Sequence, residues 1–95
     1  MENRSGRVEV DSETVLLLLE VPRSQIVFLS ALIEGYDGLA VSKTIDESRG
    51  LVCLITTKDY EPECLRLLDS LKSEMPWRFY EGRFNQDEIF QYIER

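Results

Sequence analysis

Hydrophobic positions along the chain repeat with two periods, and these periods predict alternating strands and helices. Residues 15–21 form an aliphatic run that Pro22 ends, which is too short for a core helix and predicts a strand. From residue 24 to residue 36 the apolar residues recur every three or four positions, which predicts an amphipathic helix packed on a sheet. Its apolar stripe consists of Ile26, Leu29, Leu32, Ile33 and Tyr36.

The second half of the chain repeats this order of elements. Residues 39–45 alternate between apolar and polar, as expected for an edge strand with one solvated side. Residues 46–50 predict a hairpin loop into a nearly all-apolar strand at residues 51–57. Pro62 fits the first turn of a second helix, and residues 77–81 predict a fourth strand. The apolar face of this second helix consists of Cys64, Leu65, Leu68, Leu71 and Met75.

Two β-α-β halves joined by a hairpin predict an α+β fold, the ferredoxin-like βαββαβ sandwich. In this fold a four-stranded antiparallel sheet carries both helices on one face. We assign residues 14–82 to this domain and residues 1–13 to a flexible N-terminal tail or a strand extension. Residues 83–95 predict a C-terminal helical extension of the same domain, with Asn85 and Glu88 as a capping pair.

The alternation of side chains along the two central strands predicts a second apolar face, opposite the helices. We take Glu20 on the first strand, and Thr56 and Lys58 at the end of the third, as pointing to solvent. Every second residue before them then lies on the same outer face. The residues expected on this face, and therefore in an oligomer interface, are Leu16, Leu18, Val52, Leu54 and Tyr80.

Exposed aliphatic residues on such a face need a cover. We favour a second subunit, because symmetric dimers are the commonest soluble oligomers. The first alternative is the C-terminal helix of the same chain, whose Phe90 and Ile93 need apolar contacts. The second alternative is a ligand.

Charge and composition narrow the range of partners. Eighteen acidic residues against eleven basic ones give a net charge of -7, which repels nucleic-acid phosphates and anionic lipids. Aliphatic residues on the open face also exclude the ring stacking by which similar sheets bind RNA. The start of the chain has no apolar core of signal-peptide length, and no apolar run is long enough to cross a bilayer. We therefore expect a cytoplasmic protein that binds neither nucleic acid nor membrane.

Catalytic chemistry has little support in the sequence. The chain contains no histidine, and Cys53 and Cys64 lie eleven positions apart without a C-x-x-C motif. We expect both cysteines to be buried thiols. Phosphate-binding glycine motifs are missing, and paired carboxylates such as Glu61 and Glu63 fit a helix start. We therefore predict no catalytic residue, no metal and no cofactor. A small enzyme that uses an interface cavity is the weakest alternative.

The motif EGYDGLAV at residues 34–41, followed by TID at 44–46 and RGLV at 49–52, resembles a family of short bacterial domains of unknown function. By topology the predicted fold is similar to ACT-type modules, which bind amino acids at subunit interfaces near the loop after the first strand. This resemblance implies a non-enzymatic homo-oligomeric module for small-molecule sensing or regulation. The corresponding loop here, residues 21–24, lacks the glycine through which such sites admit a ligand.

If a ligand binds, we expect a site where the end of the first helix meets the hairpin loop. Its residues would be Tyr36, Asp37, Gly38, Asp46 and Arg49, with Arg49 pairing with an anionic group and Asp37 with an amine. The alternative is that these residues only cap a helix and close a hairpin. In that case the chain is a structural protein-protein adaptor without a ligand.

Overall fold

Five strands and two α-helices build residues 6–82, the part of the chain that the computed structural model describes. The helices are α1 (Ile26–Glu34), which follows a 3-10 turn at Arg23–Gln25, and α2 (Glu61–Ser70). In this part of the chain neither helix has the length and apolar character needed to span a membrane. The strands are β1 (Arg7–Glu9), β2 (Thr14–Glu20), β3 (Val41–Asp46), β4 (Leu51–Thr57) and β5 (Arg78–Phe79).

The strands form an antiparallel sheet in the order β1-β2-β4-β3. β5 also pairs with β2, so two short strands share one edge of β2. They meet at Leu18, whose N–H donates to the Gly6 carbonyl at 2.6 Å and whose carbonyl accepts from the Tyr80 N–H at 2.9 Å. The predicted α+β class, the antiparallel sheet and the βαββα order of elements are confirmed.

The predicted regular βαββαβ sandwich is wrong at this edge of the sheet. β1 precedes the predicted first strand, and the predicted fourth strand shrinks from residues 77–81 to the two residues of β5. The physical reason is the limited length of the β2 edge. β1 pairs with residues 15–17, which leaves Leu19 and Glu20 as the partners of β5.

Both helices pack on one face of the sheet, where the larger core lies. Trp77 closes this core because its indole N–H donates to the Leu68 carbonyl at 2.5 Å and its ring stands edge-on to Phe79. Trp77 belongs to this core and Phe79 packs against it. The core consists of Val15, Leu17, Leu19, Val21, Ile26, Leu29, Ile33, Leu39, Val52, Leu54, Cys64, Leu68, Leu71, Met75 and Trp77.

The opposite face of the sheet differs from the prediction on β4. Leu54 pairs across the ladder with Leu17, and Val52 pairs in the same way with Leu19. Paired residues share a face, so Val52 and Leu54 belong to the helix-side core and their placement on the outer face was wrong. The second face consists of Val8, Leu16, Leu18, Leu51, Cys53 and Tyr80, with Val10, Ile45 and Ile55 packed against them.

Thr56 accounts for this error. Its polarity was taken as a sign of solvent, but its side chain is buried and its hydroxyl donates to the Leu39 carbonyl at 2.7 Å. A buried hydroxyl is tolerated where it finds such a partner. Because the side-chain period of a strand is two, turning one residue inward exchanges the two faces of the whole strand.

The second face is already buried within the single chain. Leu16 is 2% exposed, Leu18 is fully buried and Tyr80 is 8% exposed. The five residues expected in an oligomer interface, Leu16, Leu18, Val52, Leu54 and Tyr80, are therefore not presented to a second subunit. The predicted C-terminal helix, with its capping pair and its Phe90 and Ile93, lies outside the described residues.

Candidate protein-docking surface

Asp46, one of the predicted ligand residues, caps the turn between β3 and β4. Its carboxylate accepts hydrogen bonds from the Ser48 hydroxyl at 2.7 Å and from the Arg49 N–H at 3.3 Å. The bond from Ser48 is the main reason why the pKa of Asp46 lies below its ordinary value. Its local partners thus give Asp46 a structural role in the turn.

Arg49, which was expected to bind an anion, holds Tyr80 instead. Its guanidinium donates to the Tyr80 hydroxyl at 3.3 Å and stands 5.6 Å from the centre of the Tyr80 ring. The hydrogen bond to Tyr80 raises the pKa of Arg49. The contact ties the hairpin loop to the residue that follows β5.

Tyr36, Asp37 and Gly38 lie at the other end of β3. Gly38 has a φ of +77°, and the turn is closed by the Leu39 N–H, which donates to the Tyr36 carbonyl at 3.1 Å. β3 separates this turn from Asp46 and Arg49 by five residue steps, which is roughly 16 Å in a strand. The structure therefore does not bring the five predicted ligand residues into one site.

Two shallow cavities lie on either side of Thr57, at the end of β4 near Gly38. One has a volume of about 330 Å³ and is lined by residues of polar type that include Glu13, Lys58 and Asp59. The other has a volume of about 320 Å³ and more apolar walls, among them Val41 and Ile55. Neither cavity contains Asp46 or Arg49. Sequence patterns contain no signal for these cavities, because their walls come from separate segments that only the fold brings together.

The charged residues around β1 form a structural network. The guanidinium of Arg7 donates to both carboxylate oxygens of Glu61, at 2.5 and 2.9 Å, and these bonds raise the pKa of Arg7. Glu9 accepts from Arg7 at 3.1 Å and pairs with Lys58 at 3.6 Å. This network fastens β1 to the start of α2.

Both cysteines are buried, as the sequence predicted. They lie on opposite faces of the sheet, Cys64 in the helix-side core and Cys53 on the second face. Burial raises the pKa of Cys53 to about 12 and that of Cys64 to about 11, so neither is a thiolate near neutral pH. In residues 6–82 no group of acidic or cysteine side chains has the arrangement of a metal site.

The outer face of α1 is the exposed apolar surface that stands out in the described part of the chain. Val27 is 80% exposed and Phe28 is 45% exposed, and Ala31 lies beside them one turn further on. No charged residue occurs from residue 24 to residue 33, whereas the outer face of a surface helix is normally polar. We call the exposed side chains of Val27, Phe28 and Ala31 the α1 outer face.

The periodicity of the apolar residues identifies only the inward stripe of α1, so it does not predict this surface. Ile26, Leu29 and Ile33 of that stripe are buried, whereas Tyr36 lies beyond the helix end and is 48% exposed. The signal was present in the sequence. The positions between the stripe residues are Val, Phe, Ser and Ala, where an ordinary amphipathic helix has charged side chains.

Residues 19–75 match the family described as a domain of unknown function, DUF4911. The chain belongs to this family. No curated protein and no solved structure matches the chain. The resemblance to a family of unknown function is thus confirmed, while the similarity to ACT-type modules remains a prediction.

The DUF4911 range extends from the end of β2 to just beyond α2. It includes the whole of α1, β3 and β4, and it leaves out both β1 and β5. The α1 outer face and the hairpin at Asp46 therefore lie in the part of the chain that defines its family membership, whereas the two strands at the corrected sheet edge lie outside it.

Proposed function

We propose that the chain is a non-enzymatic interaction module that docks to another protein chain through the α1 outer face. The exposure of Val27 and Phe28 on a helix whose one charged residue, Glu34, lies at its C-terminal end carries the proposal. A helix that is apolar on all sides is normally covered on all sides, and α1 covers only its inner side with this chain's sheet.

The free energy of burying apolar side chains supports a protein as the partner that covers the α1 outer face. Full burial of a Val or Phe side chain contributes roughly 1.5 to 3 kcal/mol, against a total stability of about 5 to 15 kcal/mol for a small domain. Since Val27 is 80% exposed and Phe28 is 45% exposed, a partner that covers them would gain most of this contribution at Val27 and about half of it at Phe28. Val27, Phe28 and Ala31 line neither of the two cavities beside Thr57, whereas small-ligand sites are concave.

The chemistry of the chain supports a binding role over catalysis. The sequence contains no histidine, and both thiols are buried with raised pKa values. Arg49 and Arg7, which would be candidates for holding an anionic substrate, bond to Tyr80 and Glu61.

Site-specific photo-crosslinking tests the proposal. A benzophenone-bearing residue replaces Val27 in the full-length chain, produced at native level in its own cells. The same residue at Arg66, which is exposed on the outer side of α2, is the matched control. We expect a discrete protein adduct from position 27 and none from position 66. Equal adducts at both positions, or no adduct at position 27, would overturn the proposal.

Small-molecule sensing, the function implied by the similarity to ACT-type modules, is a second candidate. The two cavities beside Thr57 favour it, because about 330 and 320 Å³ fall at the lower end of the volumes of small-ligand sites. A thermal-shift screen with metabolites tests it. A true ligand raises the melting temperature of the wild type but not of Thr57→Phe, which fills the shared wall. Thr44→Phe, at an exposed position of β3, is the control.

A further inference from the structure

We infer that the partner of the α1 outer face is a second copy of this chain, with the two α1 helices packed antiparallel about a two-fold axis. This inference rests on the proposed docking function and names its partner. It differs from the dimer expected from the sequence, which used the sheet face that the structure buries.

Net charge restricts where two copies can meet. Each chain carries a net charge of -7, so two copies repel each other over most of their surfaces. Residues 24–33 form the longest stretch of the sequence without a charged side chain. The α1 outer face is therefore the surface at which two acidic chains approach each other with little repulsion.

The charges that flank this stretch are complementary to themselves under a two-fold rotation. Val27, Ala31 and Glu34 follow one another at spacings of four and three and so lie along one side of α1, and Arg23 lies in the 3-10 turn directly before the helix. Arg23 and Glu34 are both exposed, at opposite ends. In an antiparallel pair Arg23 faces Glu34 of the partner subunit, and symmetry forms this ion pair twice.

Side-chain sizes fit the same arrangement. With the helices antiparallel, Val27 lies opposite Ala31 of the partner subunit. A small residue opposite a branched one allows the two helices to approach closely. The pairing again occurs twice, so the centre of the interface is apolar and its two ends are charged.

The edge of the sheet is a less suitable place for self-association. Within residues 6–82, β3 pairs only with β4, so its other edge is open. The register shifts between Thr44 and Asp46, and Lys43 lies in the middle of the strand. An irregular register and a lysine are common features of edges that resist pairing.

The length of α1 sets the expected strength. Nine residues make a helix of about 14 Å. An interface of this length falls below about 1,200 Å² of total buried surface, the range of weak and transient complexes. We expect a dimer that forms at micromolar or higher concentrations.

Sedimentation equilibrium of the full-length chain, from about 1 μM to 1 mM, tests the inference. The wild type should change from monomer to dimer within this range. Val27→Lys should weaken association at least about tenfold, because it places a charge at the centre of the interface. Ser73→Lys adds the same charge at an exposed position after α2 and should leave association unchanged.

A charge exchange distinguishes a second copy from another partner. Arg23→Glu and Glu34→Arg should each weaken association, since each creates two like-charge contacts. The double variant restores both pairs with reversed signs and should return within about threefold of the wild type.

A wild type that stays monomeric at 1 mM, a dimer insensitive to Val27→Lys, or a double variant weaker than both single variants would overturn the inference. The photo-crosslink separates this failure from failure of the docking function. An adduct of position 27 with a different protein supports docking and contradicts the second copy, whereas an adduct with the chain itself supports both.

Discussion

Gly50 holds the hairpin between β3 and β4 against the end of β2. Its φ of +66° lies in the left-handed region, and its carbonyl accepts from the Val21 N–H at 2.8 Å. A Cβ atom at this position would overlap the Val21 carbonyl oxygen. Because that oxygen belongs to the backbone, no side-chain rotation can relieve the overlap.

Gly50→Ala is therefore expected to lower the free energy of unfolding by about 2 kcal/mol or more beyond the effect of Gly38→Ala. Gly38 has a similar φ of +77° but open space where a Cβ would lie, so its substitution adds only backbone strain. Urea denaturation of both variants measures the difference. Equal losses would show that the contact with Val21 does not determine the hairpin's position.

Thr56 is a buried polar residue that stabilises the turn before β3. Thr56→Val keeps the shape of the side chain but removes the donor to the Leu39 carbonyl. We expect a loss of about 1 to 3 kcal/mol, the usual result of leaving a buried acceptor unpaired. Thr44→Val, at an exposed position of β3, should change stability by less than about 0.5 kcal/mol. A neutral Thr56→Val would contradict the inward orientation of Thr56.

At the scale of elements, β1 depends on Arg7 for its attachment. Its three residues pair with β2, and the two bonds from Arg7 to Glu61 connect it to α2. We expect Arg7→Ala to cost about 1 to 2 kcal/mol, because charge-assisted bonds to a partly buried carboxylate are lost. Arg66→Ala removes an exposed pair at 4.0 Å and should have almost no effect.

Hydrogen exchange locates the effect of Arg7→Ala. The Leu18 amide donates to Gly6, so it should exchange faster when β1 detaches. The exchange rate of the Leu54 amide in β4 should change only as far as the stability of the whole domain changes. If both amides respond equally, β1 unfolds together with the rest of the chain.

The face assignment of β4 shows where sequence patterns lose information. Its first five residues are all apolar, so alternation does not show which of them point to which face, and the prediction rested on the polar residues Thr56 and Lys58 at its end. The register with β2 decides the phase in the structure, because Leu54 must lie opposite Leu17. On β2 the phase set by Glu20 was correct, since Glu20 is only half-buried at the strand end.

At the scale of the whole molecule, three hydrogen-bonded carboxylates predict a loss of stability in acid. Hydrogen bonds from Arg7 to Glu9, from the N–H of Glu13 to Asp11, and from Ser48 to Asp46 lower the pKa values of the three acceptors. A lowered folded pKa contributes stability above the unfolded value of about 4, and this contribution is lost as the pH falls through the folded pKa.

Melting temperatures between pH 7 and pH 2.5 test this expectation. They should stay level down to about pH 5 and fall below it. Asp11→Asn keeps the acceptor oxygen but cannot take up a proton, so its curve should fall less steeply. Identical slopes for the variant and the wild type would exclude Asp11 from the acid response.

The position of the candidate sites also depends on the tertiary structure of the whole molecule. Local patterns identified Gly38 and Arg49 correctly as turn residues, but only the fold shows that β3 holds the two turns apart. The sequence contains the α1 outer face as a stretch without charged residues. The exposure of that face depends on which side of α1 the sheet covers.

Local periodicity, capping and turn chemistry are enough to predict the helices, the central strands, the hairpin and the buried state of both cysteines. Tertiary structure decided the faces of β4, the division of the β2 edge between β1 and β5, the partner of Arg49 and the exposed side of α1. Each of these depends on which distant residue lies opposite, and pairing between distant residues leaves no periodic signal in the chain.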